Sequence, residues 1–304
     1  MDHAIEIMSL TKKFGRRAVV DHLNLQVPYG RIYALLGPNG AGKTTTVRML
    51  MNIFQPDQGE IQILGTNSLK LGPKEFSKIG YVSENQELPE WMTGKEFLRF
   101  CRTMYPAWDD GFCVSLIKLF DLPVQEKIKH MSRGMKMKLL LTSSLAYHPK
   151  LLVLDEPFSG LDPFVRQEFI AGILRLTDDE EWTIFVSSHD IEEVERLADG
   201  VGIMDEGELL VNESLEDLEN RFQQVEVALD EHATIPAQLP KEWLSFQTKG
   251  RAVTFVDSQY RENSSPQIIQ AIFPGGTINI TPLNLREIFL IFAHNWRETK
   301  ESAC

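Results

Sequence analysis

A glycine-rich octapeptide constrains this chain more than any other feature of its sequence. It is Gly37-Pro-Asn-Gly-Ala-Gly-Lys-Thr44, and it matches the pattern G-x-x-x-x-G-K-[ST] at every fixed position. The apolar run Ile32–Leu36 before it predicts a buried strand, and the segment Thr45–Met51 after it predicts a helix. In that context the backbone N–H groups of the loop and the start of the helix favour a bound anion. A simple glycine turn is the alternative, but such a turn has no need of the Lys-Thr pair.

The residue types in this loop predict how it binds a nucleoside triphosphate. Lys43 would reach the β- and γ-phosphates, and the Thr44 hydroxyl would bind Mg²⁺. The expected nucleotide-binding residues of the loop are Gly37, Pro38, Asn39, Gly40, Ala41, Gly42, Lys43, Thr44 and Thr45. A nucleotide and a magnesium ion are therefore the ligands that this segment predicts.

A second motif places two carboxylates side by side after an apolar run. The run is Leu151–Leu154, and Asp155 and Glu156 follow it directly. Asp155 is expected at the polar end of a buried strand, where a carboxylate can orient Mg²⁺ through water. Glu156 could then polarise the water that attacks the γ-phosphorus. A solvated turn or a helix cap is the alternative explanation of such a pair.

Composition narrows the class of protein and its partners. The chain has 304 residues, of which 43% are hydrophobic and 24% charged, as expected for a soluble globular protein of two unequal domains. Its formal net charge of −12 argues against a nucleic-acid partner, which would require clustered Lys and Arg. Three widely separated cysteines, Cys101, Cys113 and Cys304, are typical of reduced thiols in the cytosol. Neither a secretory leader nor an apolar run long enough to cross a bilayer is expected, so a membrane span would come from another chain.

The pattern of apolar residues predicts an α/β core. Near-continuous apolar runs at Leu151–Asp155 and Thr183–Ser187 are typical of central strands in a parallel sheet. Alternating patterns at Ile5–Met8 and Val19–Val27 predict antiparallel strands. Other expected elements are a strand at Gly59–Gly65, helices at Gly94–Met104, Phe112–Phe120 and Arg133–Tyr147, and a hairpin formed by Val201–Met204 and Glu208–Val211.

The character of the sequence changes after about Leu215. The expected elements there are strands at Val225–Leu229, Ala252–Val256 and Thr277–Ile280, with helices at Pro266–Phe273 and Asn284–Arg297. Strands and helices of this size predict a small α+β appendage to the larger α/β core.

Three further segments stand in a fixed order with the two motifs above. They are Met131-Ser-Arg-Gly-Met135, Ser159-Gly-Leu-Asp162 and His189. With Gly37–Thr45 and Leu151–Glu156, they resemble the ATP-hydrolysing subunit of an ATP-binding cassette (ABC) transporter over about residues 4–212. The resemblance implies a P-loop NTPase cassette with a mixed sheet core, an antiparallel β subdomain and a helical subdomain at about residues 86–148. The cassette would occupy residues 1–214, and residues 215–304 would form the accessory α+β domain.

The resemblance also implies that ATP is bound between two subunits. Phe14 lies where the family keeps an aromatic residue that stacks on adenine, and a strand-edge core position is the alternative for it. Ser132 and Gly134 would reach the γ-phosphate held by the opposing subunit, with helix capping as the alternative for Ser132. The chain departs from the family's usual Leu-Ser-Gly-Gly-Gln at Arg133 and Met135.

Further roles follow from the same resemblance. Glu84, in the loop Tyr81–Asn85, takes the place of a glutamine that contacts Mg²⁺ and the attacking water, and an exposed loop glutamate is the alternative. His189 would contact the γ-phosphate and hold that water against Glu156, unless it is only structural. Asp162 would couple the two nucleotide sites, with a turn-forming role as the alternative. The implied catalytic residues are thus Glu156, His189 and Glu84, and the implied metal ligands are Thr44, Glu84 and Asp155.

The implied function is an ATPase subunit that drives a separately encoded integral membrane permease. One copy would supply the phosphate loop and another the signature helix, so that Mg-ATP holds a homo- or heterodimer together on the inner face of the cell membrane. Gln86–Met92 lies where the family receives a short permease helix, with core contacts as the alternative. The wording of the signature segment and the expected helix at Asn284–Leu290 favour a bacterial, exporter-like type.

Two other functions are compatible with parts of the sequence. A soluble ABC-type ATPase that acts on ribosomes or DNA usually has two cassettes in one chain or a long coiled-coil insertion, and this sequence has neither. A nucleotide-binding regulator without useful hydrolysis is the second alternative. Glu84, Arg133 and Met135 leave it open, whereas Glu156 and His189 oppose it.

Overall fold

The computed structural model describes residues 3–179, 182–230, 235–236 and 238–292, and these residues form three β-sheets and a set of helices. The chain forms two compact units, and the boundary between them lies between Asn212 and Glu213. Within the described ranges, no helix combines the length and the apolar character needed to cross a membrane.

A six-stranded sheet forms the centre of the first unit. In sheet order its strands are β10 (Glu208–Ser214), β9 (Gly200–Asp205), β3 (Ile32–Leu36), β8 (Thr183–Ser188), β7 (Leu151–Asp155) and β6 (Ile79–Ser83). The five strands from β9 to β6 are parallel, and every residue of β3, β7 and β8 is buried, as expected for strands covered on both faces. Asp155 pairs in register with Ser187 and Ser83. The polar side chains that end these strands therefore share one edge of the sheet.

A second sheet of the first unit is antiparallel. In sheet order its strands are β2 (Arg17–Pro28), β1 (His3–Phe14), β4 (Gln58–Ile63) and β5 (Thr66–Asn67). Leu23, Leu25 and Val27 of β2 are buried while the residues between them are exposed, which is the alternation expected of a half-buried strand. Their side chains belong to one hydrophobic core that also contains Val47 and Phe185.

The helices of the first unit follow the strands or fill the segment between β6 and β7. They are α1 (Lys43–Leu50), α2 (Pro73–Phe76), α3 (Gly94–Arg102), α4 (Asp110–Leu119), α5 (Arg133–Leu145), α6 (Pro163–Asp179) and α7 (Ile191–Leu197). The start of α3 is fixed by a reciprocal capping box. The Glu96 N–H donates to Thr93 Oγ1 at 3.2 Å, and the Thr93 N–H donates to Glu96 Oε2 at 2.7 Å.

The second unit contains a four-stranded antiparallel sheet. In sheet order its strands are β12 (Trp243–Lys249), β13 (Ala252–Asp257), β11 (Gln223–Ala228) and β14 (Thr277–Pro282). The helices are α8 (Leu215–Arg221), α9 (Ser265–Ile272) and a stretch at residues 285–292. The Trp243 ring stacks on Phe255 at 4.0 Å between centroids, and Ile269 and Phe273 belong to the same core.

The structure confirms the α/β fold class and corrects several details. Tyr81–Ser83 belong to β6 instead of a loop, because they pair with β7. β12 and α8 were not expected from the sequence. Helix α1 begins two residues before the expected start at Thr45. The helix expected at Asn284–Arg297 is helical over residues 285–292, and residues 293–297 lie outside the described residues.

Candidate functional site

A cavity of about 380 Å³ lies at the edge of the central sheet where the parallel strands end. Its lining residues are Val19, Asn39, Gly40, Gly42, Lys43, Thr44, Thr45, Glu84, Glu156, Ser159 and His189. Ligands of open α/β sheets bind at this edge, outside the carboxyl ends of the strands. The structure therefore brings the glycine loop together with the three residues expected to be catalytic.

The glycine loop depends on a backbone conformation that a side chain would disturb. Gly42 directly precedes α1 with φ of 110°, in the region that residues with a Cβ rarely adopt. A Cβ built at Gly42 would lie only 2.5 Å from the Val19 carbonyl oxygen. The loop can therefore pack against β2 and start the helix only with glycine at this position.

Lys43 is buried at the start of α1 and its ammonium group has three oxygen partners. Its Nζ donates to the Gly37 carbonyl at 2.6 Å and to the Pro38 carbonyl at 3.1 Å. The same Nζ lies 3.0 Å from Glu156 Oε1. A buried ammonium requires such partners, and these three oxygens supply them.

Asp155 is buried at the end of β7 and is held by two hydroxyl groups. Its Oδ1 accepts from Ser187 Oγ at 2.7 Å and from Thr44 Oγ1 at 3.1 Å. Burial raises the pKa of the Asp155 carboxyl group, while the hydrogen bonds from Ser187 and Thr44 oppose that rise. The carboxylate is thus fixed directly beside the hydroxyl of the glycine loop.

Glu156 and His189 form a close pair in the cavity. His189 Nδ1 lies 2.7 Å from Glu156 Oε2, and the other carboxylate oxygen contacts Lys43. Glu156 has φ of 50°, in the left-handed region, and its N–H donates to the Ser187 carbonyl at 3.1 Å. This conformation is sparsely populated by residues that carry a Cβ, so the surroundings of Glu156 hold its backbone in place.

Glu84 follows β6 and has two side-chain partners at one oxygen. Its Oε1 accepts from Ser159 Oγ at 2.8 Å and from Arg133 Nη2 at 2.5 Å. Because its carboxylate is paired, Glu84 is not the freely solvated loop glutamate that was the alternative interpretation.

Ser132 and Asp162 both cap helices. Ser132 Oγ accepts from the Met135 N–H at 3.2 Å at the start of α5. Asp162 Oδ1 accepts from the N–H groups of Phe164 and Val165, both at 3.1 Å, at the start of α6. These caps satisfy backbone donors that a helix leaves unpaired.

Phe14 lies at the end of β1 and is half-exposed. Its ring contacts Phe54 edge to face, with centroids 5.7 Å apart, and Lys12 Nζ lies 5.6 Å from its centroid. Its 49% exposure removes the core alternative for this residue. Among the described lining residues of the cavity, neither Phe14 nor Ser132, Gly134 or Asp162 is present.

A polar network supports the segment that carries His189. Arg166 of α6 donates through Nη1 to Asp190 Oδ2 at 2.7 Å, and its Nε lies 3.0 Å from Glu193 Oε1. Ser188 Oγ donates to Glu193 Oε2 at 2.9 Å. These contacts join α6 to α7 and to the two residues on either side of His189 in the chain.

Comparison with known proteins gives two findings that agree with a nucleotide site in this cavity. A sequence model of the family described as "ABC transporter" matches residues 20–159. The bacitracin transport ATP-binding protein BcrA of Enterococcus faecalis is 34% identical over 223 residues, which cover 73% of this chain and 72% of that protein. The chain belongs to the ABC transporter ATP-binding proteins.

Other relatives of this ABC ATPase agree with that assignment. BcrA of Bacillus licheniformis is 37% identical over 73% of both proteins. A solved structure described as the ATP binding subunit of an ABC transporter has a TM-score of 0.64 at 26% identity, and the match covers 71% of this chain and 92% of that one. A second sequence model, described as an AAA domain and putative AbiEii toxin, matches residues 124–195. ATP binding and ATP hydrolysis are the activities of the ABC family.

Sequence reasoning missed several residues of this ABC site. Ser187, Ser159 and Arg166 hold Asp155, Glu84 and Asp190, respectively. Ser187 was in principle detectable, because the parallel register of β7 and β8 pairs it with Asp155. Nothing in the sequence pattern pointed to Ser159 or Arg166 as partners of these carboxylates.

Replacing Glu193 by Gln should change how the free energy of unfolding depends on pH. Burial raises the pKa of Glu193 to about 7, above an ordinary value of 4.5, although Ser188 and Arg166 oppose the rise. The folded chain therefore holds this proton more tightly than the unfolded chain does. The protonated Glu193 carboxyl group therefore contributes to the free energy of unfolding. This contribution is complete below about pH 4.5 and is lost as the pH rises through 7.

The comparison of wild type with the Glu193→Gln variant should show that loss directly. Between pH 5 and pH 8 the free energy of unfolding of the wild type should fall by roughly 1–3 kcal/mol relative to the variant, which cannot ionise there. Urea denaturation at several pH values measures the difference. A constant difference across this range, or one of opposite sign, would contradict the raised pKa.

Proposed function

We propose that ATP binds with its triphosphate along the glycine loop, and that Glu156 and His189 act on the water that attacks the γ-phosphorus. The observation that carries this proposal is the meeting of Lys43, Glu156 and His189 in one cavity. Glu156 is the general base, and His189, 2.7 Å from it, holds the carboxylate in place. The remaining loop residues other than Pro38, which has no backbone N–H, surround the phosphates with N–H groups.

The contacts of Lys43 suggest how nucleotide binding would prepare the base. Phosphate oxygens are stronger partners for an ammonium group than the carbonyls of Gly37 and Pro38. Lys43 would turn to the triphosphate and release Glu156 Oε1, which now lies 3.0 Å from its Nζ. The released oxygen is then available to accept a proton from water.

Magnesium fits the oxygen atoms beside the loop. Thr44 Oγ1 and Asp155 Oδ1 lie 3.1 Å apart, and both are hard donors of the kind that Mg²⁺ prefers. Ser187 orients the carboxylate from behind, as partners of metal ligands commonly do. Glu84 is the third ligand that we propose. A bound Mg²⁺ would neutralise part of the phosphate charge.

We propose further that a second cassette completes the site. Ser132 and Gly134 lie at the start of α5, outside the described lining of their own cavity, and a helix start carries partial positive charge. That end would face the γ-phosphate bound by the partner. Phe14 would stack on the adenine, and Asp162 would couple the two sites.

We assign the cassette to residues 1–214 and the accessory domain to residues 215–304. The proposed partner of the cassette is a membrane permease. Trp91 is 71% exposed, which favours docking over the core alternative for this side chain. Tryptophan is enriched at the centres of protein interfaces. The chain would then lie peripherally on the cytoplasmic face of the membrane. Relatives named for bacitracin transport support a transport role over a ribosome- or DNA-linked role, and the exporter-like type remains our proposal.

Replacing Trp91 by Glu tests the docking surface. The membrane protein that accompanies the wild-type chain from solubilised membranes is added to the purified Trp91→Glu chain, and we expect it to stimulate the ATPase activity of this variant far less than that of the wild type. A charge at the centre of an apolar contact typically costs several kcal/mol of binding.

The matched control is Val114→Glu, which changes another exposed apolar residue, 50% accessible on α4. This variant should retain the stimulation. Stimulation of Trp91→Glu equal to that of the wild type would contradict the proposed surface.

A further inference from the structure

The two charged residues at which the chain departs from its family contact each other. By the resemblance described above, Glu84 stands in the place of a glutamine, and Arg133 stands in the place of a glycine of the signature segment. Although 49 residues separate them, Arg133 Nη2 lies 2.5 Å from Glu84 Oε1. The pair therefore joins the end of β6 to the start of α5.

A third segment fixes this pair from the side. Ser159 Oγ donates to the same Oε1 of Glu84 at 2.8 Å. The guanidinium group lies against the next residue, Gly160, where an added Cβ would be 2.9 Å from Arg133 Nη1. A larger residue would thus push the guanidinium away, and glycine lets it remain over the turn.

The charge of Glu84 needs such a partner. Glu84 lines the cavity together with Glu156, and Asp155 lies beside Thr44. Among these groups the triphosphate would meet several carboxylates, and a further unpaired negative charge would repel it. A glutamine at this position would carry no such charge.

We propose that Arg133 is a positioning residue that neutralises Glu84 and so allows a carboxylate to stand beside the triphosphate. The pair takes the place of the family's neutral glutamine and glycine. Arg133 acts through Glu84 and does not itself touch the reacting atoms of its own site. This inference rests on the proposed function, since it requires ATP to occupy the cavity that Glu84 lines.

A double-mutant cycle tests the proposal, with Arg133→Gln, Glu84→Gln and the two combined in the full chain. Glutamine removes the charge of Arg133 and keeps a good helix former at the start of α5. ATP affinity is measured by calorimetry in EDTA, and kcat and KM are measured separately with magnesium. The EDTA measurement reports on charge at the site without any metal or turnover.

The expected result is a rescue. Arg133→Gln should weaken ATP binding by about fivefold, a modest loss because the pair is partly exposed, and raise KM more than it lowers kcat. The combined variant should bind ATP within about twofold of the wild type, because the uncompensated charge is gone. Arg133→Lys should keep most of the affinity, and the defect of Arg133→Gln should shrink as salt rises.

Additive effects in the cycle would overturn the proposal, and so would an Arg133→Lys variant as weak as Arg133→Gln. Thermal unfolding of each variant identifies a loss that comes only from misfolding, in which case Arg133→Lys decides the outcome. The Lys43→Ala variant distinguishes a failure of the proposed function from a failure of the role assigned to Arg133. If it binds ATP as the wild type does, the proposed function fails; if it loses affinity while the cycle is additive, only the role of Arg133 fails.

Discussion

The Glu156→Gln variant is expected to hydrolyse ATP at least about 10²-fold more slowly than the wild type while still binding the nucleotide. Gln keeps the shape of the side chain but cannot accept the proton of the attacking water. It also replaces a charged partner of Lys43, at 3.0 Å, with a neutral one, which leaves the ammonium group available to phosphate. Phosphate release at saturating ATP measures the turnover, and calorimetry measures the affinity.

A matched control is Glu60→Gln. Glu60 is an exposed residue of β4 outside the described lining of the cavity, so this variant should turn over ATP normally. Hydrolysis by Glu156→Gln at the wild-type rate would show that another group is the base. Loss of both binding and turnover would instead mean that Glu156 mainly maintains the shape of the loop.

The Lys43→Ala variant is expected to lose about 10²-fold in ATP affinity. Each charge-assisted hydrogen bond contributes about 1.5–3 kcal/mol, and Lys43 is the buried cation of the loop. The substitution also leaves Glu156 without its counter-charge in the cavity, which adds repulsion to the triphosphate. Calorimetric titration with a non-cleavable ATP analogue measures the change without hydrolysis.

Lys70→Ala is the control for a general loss of positive charge, because Lys70 is exposed and lies outside the described lining of the cavity. This variant should bind the analogue as the wild type does. Unchanged affinity in Lys43→Ala would contradict the phosphate-loop assignment.

The sequence predicted the strand, glycine turn and helix around the loop because consecutive residues specify them. A glycine pattern, one lysine and one hydroxyl specify the turn, and the flanking apolar runs specify the strand and helix. The same locality explains why a capping role for Ser132 is visible in the sequence itself. Its partner is the N–H of Met135, three residues away.

Contacts between distant segments were not predictable in the same way. The pairs Lys43–Glu156 and Arg133–Glu84 depend on side-chain directions at the ends of separate elements. Periodicity gives the face of an element but not which loop lies opposite it. The left-handed conformation of Glu156 has no sequence signature either, since it is a backbone state that its surroundings impose.

The second unit shows a different limit of prediction from sequence. Its strand β12 escaped the sequence analysis because only Trp243 is fully buried, and exposed polar residues such as Gln247 and Lys249 follow within the strand. Its inclusion in the sheet is decided by pairing with β13, a non-local contact. Among the described strands, β12 is an edge strand with no paired strand on one side, and such strands carry only a weak pattern of buried apolar residues.

The central claim is that triphosphate is held between two cassettes, each of which supplies what the other lacks. Light scattering of the Glu156→Gln variant on a sizing column measures this most directly. We predict a particle of two chains, each of 34.7 kDa, with ATP, and a single chain with ADP or when Ser132→Glu is added. A single chain with ATP, or a dimer that is indifferent to the nucleotide and to Ser132, would contradict the claim.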